Sequence, residues 1–94
     1  MRADIKEIPA NITRANVLSA IQQADEEGVP KRYNSRTYFL HYNNKLYPPK
    51  YIIMIANKWA NGEEFGREHF YSIDAAKYLK RLGFVLTVPN NINI

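Results

Sequence analysis

The chain has 94 residues, 46% hydrophobic and 23% charged, which suits one globular domain with a single core and leaves no room for a second. It has no cysteine, which excludes disulfides, thiolate metal sites and a thiol nucleophile together, and its net charge is a modest +4. No apolar run approaches the ~20 residues of a membrane span, and the opening Met1-Arg2-Ala3-Asp4-Ile5-Lys6-Glu7 lacks the apolar stretch of a secretory signal, so a cytoplasmic, membrane-free protein is expected.

Residues 1–10 show no clear period and end near Pro9. A helix is predicted next. Thr13, or else Asn11, can cap it, because a short side-chain oxygen there accepts from the unpaired N–H groups of the first turn. Val17, Leu18, Ile21 and Ala24 form its apolar stripe, and Gly28 and Pro30 stop it. Asp25, Glu26 and Glu27 close it against its own dipole, which is mildly unfavourable.

Arg36 to Tyr47 reads as a β-hairpin. Tyr38, Leu40 and Tyr42 alternate with Thr37, Phe39 and His41, so both faces carry bulk. Asn43-Asn44 suits a two-residue type I′ turn, since Asn tolerates the positive φ that this turn demands. Lys45-Leu46-Tyr47 is the return strand, and Pro48-Pro49 ends pairing because neither residue can donate to a ladder.

Pro49 is also a good first residue of a helix. Ile52, Ile55, Ala56 and Trp59 fall on one face, widened by Ile53 and Met54, which predicts a central buried helix with Trp59 in the core. Asn61-Gly62 ends it. Residues 63–71 form a loop anchored by Phe65 and Phe70. Ser72 is expected to cap a third helix, with Asp74 in its first turn, a core face of Ala75, Ala76, Leu79 and Leu82, and Lys77, Lys80 and Arg81 toward the cation-favouring end. Gly83 suits the C′ position, Phe84 to Val88 forms a last strand, and residues 89–94 are a tail or the start of a linker. Residues 1–88 are therefore one domain of the α+β class: a small three-stranded antiparallel sheet with three helices on one face, in the order α-β-β-α-α-β.

The charge is unevenly spread. Between Lys31 and Gly62 lie six basic residues (Lys31, Arg32, Arg36, Lys45, Lys50, Lys58), five tyrosines and no Asp or Glu. A local positive field with interleaved aromatics and amides suits a polyanion, most commonly nucleic acid. Solvated lysines on an ordinary hairpin are the plain alternative, weaker for six cations with no local acid. Lys31, Arg32, Arg36, Lys45 and Lys50 are the candidate phosphate contacts. Tyr47-Pro48-Pro49-Lys50 adds a rigid bend that delivers a helix N-terminus, where free N–H groups and the positive dipole end favour an anion; a stiff connector is the competing reading.

Asn43, Asn44, Tyr33 and Tyr47 are the candidate base or sugar contacts. An Asn amide matches the edge of adenine, and a β-ribbon can enter the major groove, although turn chemistry alone also accounts for both Asn residues. Tyr38 and Tyr42 are expected to pack as cross-strand neighbours, with Tyr47 and Tyr51 partly exposed near the bend. Catalysis finds little support. His41 and His69 have no partners at metal-ligand spacing, Glu63-Glu64 is not a pair in an apolar pocket, and no Walker, His-Glu-x-x-His or Gly-x-Ser-x-Gly string occurs. No catalytic residue, metal or cofactor is expected.

The most specific string is Lys45-Leu46-Tyr47-Pro48-Pro49-Lys50-Tyr51-Ile52-Ile53, with Leu82-Gly83-Phe84 further on. It resembles the small N-terminal head domain found ahead of HNH nuclease modules in McrA-like, modification-dependent restriction endonucleases and related defence proteins. The resemblance runs in order over residues ~12–88, from the acidic segment ending at Gly28 to the Leu-Gly-Phe strand. The chain departs from the pattern at Phe70-Tyr71-Ser72, where the family has Phe and paired glycines, and at Asn44, where the hairpin turn usually carries Gly. The resemblance implies a non-catalytic DNA-recognition or accessory domain of a restriction protein. Taken with the charge, the reading is contact with double-stranded DNA, modified duplexes included, by a domain fused to or associated with a nuclease or motor module. The rival is a docking module that touches such a subunit and not DNA, and single-strand or RNA binding by the tyrosines is a further alternative.

Overall fold

Thr13 caps the first helix. Its Oγ1 accepts from the Asn16 N–H at 3.2 Å while Asn16 Oδ1 accepts from the Thr13 N–H at 2.9 Å, so Asn completes a capping box that more often uses Glu or Gln. In this computed structural model, which describes residues 6–63, 65–66 and 69–89, the capped helix is α1 (Arg14–Glu27). A single 3₁₀ turn (Lys31–Tyr33) leads to β1 (Phe39–Tyr42), β2 (Lys45–Tyr47), α2 (Pro49–Asn61), α3 (Ser72–Arg81) and β3 (Val85–Thr87). The order α-β-β-α-α-β and the three-stranded antiparallel sheet are as expected from the sequence.

The punctuation residues act as their chemistry requires. Asn43 and Asn44 adopt φ of 50° and 62°, the type I′ requirement, and Pro49 is the first residue of α2. At the end of α3, the Gly83 N–H donates to the Lys80 carbonyl at 2.9 Å and the Phe84 N–H to the Leu79 carbonyl at 3.1 Å, a Schellman closure with Gly83 at φ +92°. The start of α3 lies one residue earlier than expected. Tyr71 is the N-cap and Ser72 the first helical residue, because Asp74 Oδ2 reaches back to the Tyr71 N–H at 3.2 Å.

The sheet order is β2-β1-β3, with Leu40 opposite Tyr47 and Leu86, and His41 opposite Leu46 and Val85. The first row faces the helices and Leu40 is fully buried; the second faces solvent. Ile12, Val17, Ile52, Ile53, Phe70 and Leu79 fill the space between sheet and helices. Each such side chain contributes about 1.5–3 kcal/mol by leaving water.

Three expectations about aromatic side chains are corrected. Trp59 is 57% exposed, because the buried stripe of α2 runs through Ile52, Ile53, Ala56 and Asn57 with Ala60 packed against it, leaving the indole to one side. Tyr47 and Tyr51 are buried, since the 3₁₀ turn and the end of α1 fold over the bend. Tyr42 meets Phe84 edge-on at 6.1 Å, across to the β3 side; Tyr38 precedes β1 and is tied through its backbone to Ser35. The tail expected after Pro89 lies outside the described residues, as do Glu64 and Glu68. Among the described residues no helix is long and apolar enough to cross a membrane.

Candidate nucleic-acid interface

Gly28 leaves α1 at φ +80° and Pro30 opens the 3₁₀ turn, so the chain reverses over the start of α2. The ring of Tyr33 then rests against that of Tyr51 at 5.1 Å and pins the turn there. This places Arg32, Tyr33, Asn34 and Ser35 opposite Pro48, Pro49 and Lys50, with Ser72 at one side, around an open cleft of about 260 Å³. Because Pro49 begins α2 and Ser72 begins α3, two helices start at the same cleft. Both positive dipole ends belong to its wall, each an environment that favours an anion.

Two cations join them. The Arg32 guanidinium carbon lies 5.0 Å from the Tyr33 ring centroid, and Lys50 Nζ lies 5.2 Å from that of Phe70. Lys50 is in the first turn of α2, where the dipole disfavours a cation by about 0.3–1 kcal/mol. A positive side chain kept at that end is locally costly, and local cost of this kind concentrates at functional sites.

The hairpin tip is a second, separate place. Asn43 and Asn44 are exposed at the turn. Asp25, in the last turn of α1, reaches the return strand: the Tyr47 hydroxyl donates to its Oδ1 at 2.6 Å, and Lys45 Nζ stands 3.5 Å from the same oxygen. Burial first, and the Asp25 carboxylate second, push the Tyr47 hydroxyl up to about 12. Lys45 thus has an acid partner that the acid-free stretch does not contain, and α1 supplies it. The pair is substantially exposed, so it contributes little stability.

The candidate residues therefore divide. Arg32, Tyr33 and Lys50 share the cleft, with Lys31 and Arg36 exposed on the chain either side of its wall. Asn43, Asn44 and Lys45 lie at the far end of β2, about 10 Å away along the strand at ~3.3 Å per residue. Tyr47 supports the ribbon from beneath and does not present a face to solvent. Lys58 sits eight residues beyond Lys50, about 12 Å along the helix axis. Asn34, Ser35 and Ser72 carry no sequence signal for this cleft: all three lie far from Pro48-Pro49 along the chain, and Ser72 reads only as a helix cap. Their meeting depends on how α2 and α3 pack. No cluster of three or more His, Cys, Asp or Glu suited to a metal occurs among the described residues.

The family model described as "ScoMcrA-like, N-terminal head domain" matches residues 10–88. Among solved structures, the chain is similar to one described as "Structure of the Type IV phosphorothioation-dependent restriction endonuclease ScoMcrA". The TM-score is 0.61 with 26% sequence identity, over 88% of this chain and 14% of that one. No curated protein matches. The present chain thus spans a small part of that restriction enzyme's length, and the matched residues include the cleft, the hairpin and all three helices. On the extent of that match, the chain belongs to the ScoMcrA-like N-terminal head domain family.

Proposed function

We propose that this domain binds duplex DNA as the non-catalytic target-recognition or accessory part of a modification-dependent restriction or defence protein in the cytoplasm, the cutting chemistry residing in an associated module. The observation that carries the reading is the cleft where Arg32 and Lys50 meet the starts of two helices. A backbone phosphate suits this cleft: it is compact, polar and anionic, and it replaces the repulsion between Lys50 and the α2 dipole with attraction to both. Lys31 and Arg36 extend the contact to neighbouring phosphates, and the hairpin tip follows the groove with Asn43, Asn44 and Lys45. Duplexes bearing modified bases or backbones are the substrates to compare with unmodified DNA.

The test is charge reversal at the cleft. Arg32→Glu with Lys50→Glu should weaken a low-salt duplex shift by about tenfold to a hundredfold, since two cationic contacts become repulsive. Both side chains are at least partly exposed, so the thermal unfolding curve should be little changed. Undiminished duplex binding by the folded double variant would place the interface elsewhere.

A further inference from the structure

A second groove lies on the α1–α2 side of the molecule, lined by Ser19, Gln22, Gln23, Glu26, Glu27 and Trp59, with a volume of about 220 Å³. None of these lining residues is basic, in a chain whose net charge is +4, so the groove is a local reversal of the protein's field. Glu26 and Glu27 are exposed in the last turn of α1, where the helix dipole already adds negative potential. Beside them Trp59 is 57% exposed, an unusual position for the largest apolar side chain. Its Nε1–H donates to Gln23 Oε1 at 3.2 Å, which holds the ring in one orientation beside the groove. Gln22 is likewise tied to Glu26, Nε2 to Oε1 at 3.3 Å.

We infer that this groove docks an arginine-bearing segment of a protein partner. A fixed indole face accepts a guanidinium by stacking and cation–π attraction, and a neighbouring carboxylate accepts two parallel N–H bonds from the same group. Trp and Arg are the side chains that most often dominate binding energy at protein interfaces. The small volume admits one or two side chains of an extended segment, and the surplus of negative charge selects a cationic one. The inference stands apart from the DNA reading, because the groove shares no lining residue with the basic cleft.

Trp59 is the chain's one tryptophan, so its emission reports this groove directly. The experiment titrates the 94-residue protein with three synthetic peptides of equal length, built on Arg-Gly, Lys-Gly and Asn-Gly repeats. The Arg-Gly peptide should give a saturable emission change that weakens with salt, the Lys-Gly peptide a distinctly weaker one, and the Asn-Gly peptide none. Glu26→Gln with Glu27→Gln should reduce the Arg-Gly affinity about tenfold or more, the scale of losing close charge pairs. The Arg32→Glu, Lys50→Glu variant should bind this peptide at least as well as the unmodified chain. No saturable response, an equal response to Asn-Gly, or undiminished binding by the double Gln variant would overturn the proposal. An emission change that follows protein concentration without peptide would overturn it too, by assigning the face to a second copy.

Discussion

Asp25 shows how one side chain at a helix end can hold a hairpin far along the chain. It accepts the buried Tyr47 hydroxyl and stands beside Lys45, so the return strand is fastened to α1 at two points. Removing the hydroxyl with Tyr47→Phe should cost about 1–2 kcal/mol at neutral pH, the usual worth of a hydrogen bond to a charged partner at a partly wet site. A pH dependence should accompany it. An unfolded tyrosine loses its proton near the ordinary value of about 10, whereas folded Tyr47 holds it to about 12. Its stabilisation is therefore complete below about pH 10 and is lost as pH rises toward about 12. Urea midpoints at pH 8 and pH 11 should show the gap between the native chain and Tyr47→Phe narrowing at the higher pH. A gap of constant size would show that the hydroxyl is not held in this way. Burial, with Glu27 and Tyr33 adding to it, raises Tyr51 as well, so the variant itself should still lose stability in alkali.

At the scale of elements, the hairpin turn and the closure of α3 are the sharpest tests of the backbone. Asn44 sits at φ 62°, a conformation that a β-branched side chain adopts with strain. Asn44→Val should lower stability by about 1–3 kcal/mol, while Asn44→Gly should stay within about 0.5 kcal/mol, both read by thermal unfolding. Gly83 is constrained twice. Its φ is +92°, and an added Cβ would lie 3.3 Å from Arg14 Nη1, which donates to the Leu82 carbonyl at 2.9 Å, while the guanidinium carbon of Arg14 lies 4.2 Å from the Phe84 ring centroid. Gly83→Ala should therefore cost about 1–3 kcal/mol and loosen the contact between the start of α1 and the end of α3. An unfolding midpoint matching the native chain would contradict that packing.

These same positions show what could be read from the sequence. Thr13 acts through a side-chain cap, and Pro49, Asn43-Asn44, Gly62 and Gly83 through their own backbone preferences, so helix limits, the turn and the element order follow from local rules. The fate of the aromatics does not. Whether Trp59 or Tyr51 is covered depends on which neighbour arrives over it, and Tyr33 of the 3₁₀ turn, which covers Tyr51, lies eighteen residues earlier in the chain. The site was legible in part for the same reason. Arg32 and Lys50 stand out as charges, but the meeting of α2 and α3 at their N-terminal ends is a tertiary fact, and so is the reach of Asp25 to Lys45.

For the whole molecule, the consequence is a division of charge. Cations gather around a cleft where two helices start, while carboxylates and an exposed indole line a groove on the α1–α2 side. On the proposed readings, one surface takes a polyanion and the other a cationic segment of a protein partner. The most direct test of the DNA-binding claim is the salt dependence of duplex affinity. If about four phosphates are neutralised, by Arg32 and Lys50 in the cleft and Lys31 and Arg36 beside it, log K should fall against log salt with a slope of about −3.6, at ~0.9 per contact. The Arg32→Glu, Lys50→Glu variant should bind weakly with roughly half that slope. A slope indistinguishable from zero, or no duplex binding by the native chain even at low salt, would contradict the account.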